Sequence, residues 1–254
     1  MKKNRKKSLK IKPVFLLVAA AVLLLASTVG STQAALTYYS ENYSAEVTVS
    51  NIGVTLLENG KPISRRNYIG KSENELWDEV PGTLLTNLLA ENENLVLGKD
   101  YVEEISVKNS GAIDSYVRVI LTKSWKKDNA KNTALSPALI ELHETAESGW
   151  IKDTNASTDE RVVLYYANAL KVGETTKPCI NALSINPAIG TKVTETRENV
   201  EGGTKITYSY AYDGYTFCVE AEVDAVQTHN AKDAIKSAWG VDVTVAADGS
   251  ISLN

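Results

Sequence analysis

The sequence predicts an all-β fold, a β-sandwich or barrel-like domain with one or two short peripheral helices. Three observations predict it. Strand-length runs rich in Val, Ile, Thr and Tyr recur along the chain. Turn pairs such as Asn59-Gly60, Asp213-Gly214 and Asp248-Gly249 punctuate them. A helical period emerges only near the C-terminus.

The N-terminus obeys a different logic. Lys2, Lys3, Arg5, Lys6, Lys7, Lys10 and Lys12 form a basic block, and an apolar run of 13 residues extends from Val14 to Ala26. Small and polar residues then lead to Thr32-Gln33-Ala34, a site that signal peptidase can cleave. A spanning helix needs about 20 apolar residues. Residues 1–34 therefore read as a secretory signal peptide with no stable membrane span after cleavage, the alternative being a retained anchor. Residues 35–254 read as one β-sandwich domain.

Seven of the 27 basic residues and none of the 31 acidic ones lie in that leader, so the remainder carries a formal charge of −11. Such a surface repels phosphate backbones, and no basic stripe offsets it, which argues against nucleic acid as a partner. A chain this long can bury most of its unfolded surface around one core. Export permits a disulfide between the two cysteines, Cys179 and Cys218, and two separate thiols are the other reading.

Each element follows from local pattern. Ala45–Val49 alternates as a strand with one buried face, and Gly53–Leu57 is a second strand closed by Asn59-Gly60. Residues 63–94 carry little pattern; Thr83–Ala90 fits a short helix or an apolar loop. Order returns at Tyr101, with Ile105 and Val107 alternating up to the Asn109-Ser110-Gly111 turn. Ser115–Leu121 places Val117, Val119 and Leu121 on one face and Tyr116, Arg118 and Ile120 on the other, as in a central strand. Residues 126–137 read as loop; Ala138–Leu142, Arg161–Leu170 and Ala182–Ile185 as strands. Thr204–Tyr212 and Tyr215–Val223 alternate about Asp213-Gly214, which predicts a hairpin with Tyr212 facing Tyr215, Tyr208 facing Val219 and Cys218 opposite Ser209. Asn230–Trp239 predicts a helix with Asn230 as cap and Gly240 as stop, and Val241, Val243 and Val245 the last strand.

Four stretches together resemble the TasA/camelysin family of Gram-positive exported proteins. They are Ala34–Ser40 after the leader, Val107–Val119 with its Asn-Ser-Gly and Tyr-Val-Arg segments, Leu170–Pro178, and Ala221–Gln227 followed by Ala234–Trp239. The resemblance implies a jelly-roll-like sandwich, release by a dedicated signal peptidase, and assembly into extracellular biofilm-matrix fibres. It also implies that residues 35–49 complete a neighbour's sheet, with Leu36, Tyr38, Tyr39 and Val47 as the inserted side chains. Residues 58–94, including Trp77, and the tyrosine-rich C-terminal strands depart from the family pattern.

Camelysin-like relatives are described as metallopeptidases, which makes metal chemistry worth testing. The helical zinc motif needs two histidines four apart around a glutamate. Here His143-Glu144 is followed by Glu147 instead, and His229 lies far away in sequence. No G-x-S-x-G elbow, phosphate loop or activated cysteine stands out, and Asp153, Asp159 and Glu160 read as a solvated acidic turn. The expectation is no catalytic residue, no metal and no cofactor. The first functional reading is a secreted matrix-fibre subunit or accessory, self-associating or joining other matrix proteins. The second is a monomeric secreted binding module for glycan or a surface protein, using a face near Trp77 or Trp150; a metal-dependent peptidase ranks third.

Overall fold

Asn59 and Gly60 take left-handed backbone angles (φ 50° and 74°), the geometry a two-residue hairpin turn requires, and they join β1 (Gly53–Glu58) to β2 (Lys61–Ser72). The computed structural model describes residues 51–72, 75–201 and 203–254, all within one compact unit. The leader, the strand expected at Ala45–Val49, and Leu36, Tyr38, Tyr39 and Val47 lie outside the described residues. No helix among the described residues is long and apolar enough to cross a membrane.

The remaining strands are β3 (Glu75–Val80), β4 (Tyr101–Asn109), β5 (Ser115–Lys127), β6 (Ala130–Asn132), β7 (Ile140–Glu144), β8 (Trp150–Lys152), β9 (Arg161–Tyr166), β10 (Ile180–Ile185), β11 (Val193–Val200), β12 (Gly203–Tyr210), β13 (Thr216–Gln227), β14 (Val243–Val245) and β15 (Ile251–Leu253), with one helix, α1 (Ala231–Trp239). Among the described residues the chain is an all-β domain of several sheets with one short α-helix. A six-stranded sheet runs β3-β2-β1-β4-β10-β7, and a five-stranded one runs β13-β5-β9-β8 with β6 against β5. The pairs β11-β12 and β14-β15 are separate ribbons.

The core explains the two-faced pattern of β5. Val117, Val119 and Leu121 meet Val54, Leu56, Ile105 and Val107 of the six-stranded sheet in one buried cluster. Tyr116 and Ile120 point the other way and join Val163, Tyr165 and Val226 beneath Ala231 and Ile235 of α1 and Val243 and Ile251 of the β14–β15 ribbon. With β13 on one side and β9 on the other, β5 is a central strand. Full burial of each such aliphatic side chain stabilises by about 1.5–3 kcal/mol.

The predicted C-terminal hairpin does not form. The Asp213-Gly214 turn is present (Gly214 φ 74°), but β12 pairs back with β11, placing Tyr208 opposite Glu195, while β13 pairs with β5 along twelve residues. Val219 therefore lies opposite Lys123, and Cys218 opposite Ser124. Tyr208 and Tyr210, expected on a buried face, are 57% and 56% exposed. Pairing with β5 occupies only one edge of β13, so what takes β12 away from the other is its own eight-residue pairing with β11.

Smaller differences have local causes. Thr83–Ala90 is irregular and buries leucines without helical bonding, and residues 126–137 contain the short β6. Arg161–Leu170 is strand only to Tyr166, although Leu170 bridges to Ser115. Asn230 is left-handed and its side chain bonds Asp233 rather than capping a backbone N–H, whereas Gly240 (φ 75°) ends α1 as expected. Cys179 and Cys218 are both free thiols, on strands of different sheets or beside them; no bridge joins them. Burial pushes the Cys179 thiol up to about 12, which leaves it inert.

Candidate strand-acceptor groove

A groove of about 590 Å³ opens between β1–β3 and β13. Its floor follows from strand alternation: Val54 and Leu56 on β1 and Val219, Ala221 and Val223 on β13 share the inner faces. Every residue from Phe217 to Val223 lines it, whichever face its side chain takes. The groove thus follows the backbone edge of β13. Among the described residues, β13 is hydrogen-bonded on one side only, by β5. Its twelve-residue register has no bulge and no proline, and the charges along it are Glu220, Glu222 and Asp224.

The far wall is the segment from Val80 to Leu85. Gly82 fits because it has no side chain: a Cβ there would stand 2.1 Å from the Ile63 carbonyl oxygen. Leu84, Leu85 and Leu88 reach back to the cluster around Trp125, Ile140, Leu183 and Val219. Leu85 is left-handed (φ 66°), a costly conformation for a leucine, and its N–H donates to Glu58 Oε1 at 2.5 Å.

Glu58 and Glu103 are 6% and 2% exposed and lie diagonally across the β1–β4 pair, where Glu58 is opposite Ile105. Burial first, then the neighbouring Glu58 charge and a hydrogen bond to Glu58, push the Glu103 carboxyl up to about 8. At that value Glu103 is mostly protonated at pH 7 and its carboxyl can donate a hydrogen bond to Glu58. Asn59 Nδ2 approaches Glu103 Oε2 at 3.5 Å, and Glu103 Oε1 has no other partner.

Charge lies along the rim. Arg65 pairs with Asp78 at 3.0 Å, Arg66 with Glu79 at 3.7 Å, and the Arg66 guanidinium sits 4.6 Å from the centre of the Trp77 ring. On the β13 side, Lys126 Nζ bonds Glu220 Oε1 at 2.8 Å and holds that carboxyl below its usual range. The Cys218 thiol lies 3.6 Å from Glu220.

Comparison with family models, with curated proteins and with solved structures found no match. The arrangement of the side chains therefore carries the functional argument.

The residues considered for catalysis fall into structural roles. His143 Nε2 contacts Ser184 Oγ at 2.8 Å and Asp100 Oδ1 at 3.4 Å. A hydrolytic triad needs the carboxylate on the opposite ring nitrogen and an accessible serine. Both partners here share Nε2, Ser184 is buried, and its hydroxyl donates to Glu141 Oε2 at 3.3 Å. Among the described residues no group of three or more His, Cys, Asp or Glu is arranged for a metal, so His143, Glu147 and His229 do not converge. Asp153 Oδ1 accepts the N–H groups of Asn155 and Ala156 at 2.9 Å each, which makes it a turn-former. Trp150 packs on Tyr166 and donates to the Lys177 carbonyl, whereas Trp77 is 44% exposed.

The sequence reading passed over Glu58 and Glu103, although a signal was there. Val54, Leu56 and Glu58 share one parity, as do Tyr101, Glu103, Ile105 and Val107. Each glutamate therefore sits on an apolar face.

Proposed function

We propose that the chain is a secreted structural protein, a subunit or accessory of an extracellular biofilm-matrix fibre that assembles by β-strand donation and has no catalytic role. In this reading the two large sheets form a jelly-roll-like sandwich, released from its leader by signal peptidase. The observation that carries it is the edge of β13 that has no partner strand among the described residues, seven residues of which line a groove with an apolar floor. An incoming strand there gains backbone hydrogen bonds from the edge and burial of alternate side chains from the floor. The donor is residues 35–49 of a neighbouring copy, with Leu36, Tyr38, Tyr39 and Val47 entering the groove.

Combined replacement of these four residues by alanine tests the donor. The expected result is loss of assembly in light scattering with unchanged melting of the folded unit. Assembly that persists in the quadruple variant removes this segment from the bond.

One observation favours the second reading, a monomeric binding module: Trp77 is exposed, packed edge-on to Tyr68 and covered by Arg66, an aromatic platform suited to a glycan. Trp77→Ala separates the two, because it abolishes binding to a glycan array only if that platform is the site.

A further inference from the structure

Among the described residues the groove wall has one hydrogen bond to a β1 side chain, from the Leu85 N–H to Glu58, and Leu85 is held there in a strained left-handed conformation. Behind that anchor stands Glu103, almost fully buried, with Oε1 unpartnered unless the carboxyl proton bonds Glu58. We propose that Glu58 and Glu103 form a proton-operated latch: one shared proton pins Val80–Leu85 as the groove wall, and its loss releases that wall.

The chemistry follows from what surrounds the pair. Among the described residues, Glu58 is the one ionisable group acting on Glu103, and the Asn59 amide is the one other side chain that reaches it. Lys61 lies opposite Glu58 in the hairpin register, but it is exposed and makes no ion pair with it among the described residues. The wall from Val80 to Leu85 has no charged residue and gives Glu58 the Leu85 N–H; beyond it come Glu91 and Glu93, and Glu93 pairs with Lys99 at 2.5 Å. No cation is therefore placed to neutralise a second carboxylate. Once Glu103 ionises, two buried like charges repel, Glu58 swings away, and Leu85 relaxes. The elevation of Glu103 to about 8 puts this event just above neutral pH.

The effect on assembly rests on the acceptor reading above; the latch itself does not. The test is amide hydrogen exchange over residues 81–98 of the exported chain at pH 6 and pH 9, corrected for intrinsic chemistry, beside light scattering of the same samples. Glu103→Gln and Glu58→Gln each keep the shape and remove one charge, so either serves if the other folds poorly. The expected result is at least a ten-fold loss of protection at pH 9 in the unmodified chain, and under two-fold in the variants. Equal pH trends in unmodified and variant chains overturn the latch, as does full protection of the unmodified chain at pH 9. Assemblies lost at pH 9 only in the unmodified chain support the coupling. Absence of assemblies from all samples, with exchange as expected, overturns the acceptor reading and leaves the latch standing. Assemblies equally stable at both pH values, with exchange as expected, overturn the coupling.

Discussion

Leu121 and Tyr208 show what a single residue contributes here, because both sit in alternating strands with opposite fates. Leu121 is fully buried at the junction of the two large sheets. Leu121→Ala should cost about 2–5 kcal/mol, read as a lowered denaturant midpoint at constant slope. Tyr208 is more than half exposed, so Tyr208→Ala should change stability by no more than about 0.5 kcal/mol. Had Tyr208 packed against Val219, as local alternation implies, the loss would be several-fold larger. Gly82 adds a case invisible to pattern: no sequence rule says which glycine lies against a carbonyl oxygen. Gly82→Ala must push the wall off β2, at about 1–3 kcal/mol.

At the level of elements, turn chemistry was legible and strand partnership was not. Asn59-Gly60 and Gly240 do what their backbone freedom suggests, and the two-faced Ser115–Leu121 is a central strand. The Asp213-Gly214 pair misled, because identical alternation on either side cannot reveal that β12 turns back on β11 while β13 pairs with β5, 90 to 112 residues earlier. The true partner of β12 was hidden by composition: Val193–Val200 is polar and lacks alternation. The sequence Glu201-Gly202-Gly203 was the available clue, for the β11–β12 register closes with Val200 opposite Gly203. Every residue of both strands is exposed. Replacing residues 194–209 by a short turn should therefore shift the melting temperature by only a few degrees, checked by calorimetry. The groove was illegible for a related reason, since it is made by β1–β3 and β13, which local patterns do not bring together.

At the scale of the whole molecule, protonation and assembly meet. Glu103 titrates near 8 in the folded chain and near 4.5 when unfolded. Between those values the folded state binds the extra proton, so stability is full below about pH 4.5 and falls as pH rises to about 8. The loss is on the order of a few kcal/mol. It should be seen as a melting temperature that declines across this window and stays level in Glu103→Gln. Strand donation into the β13 groove is tested by the size distribution of residues 35–254 beside residues 51–254, in light scattering and negative-stain imaging. Filaments from the longer chain and monomers from the shorter are the predicted result. Monomers from both, at high concentration and at pH 6, would contradict it.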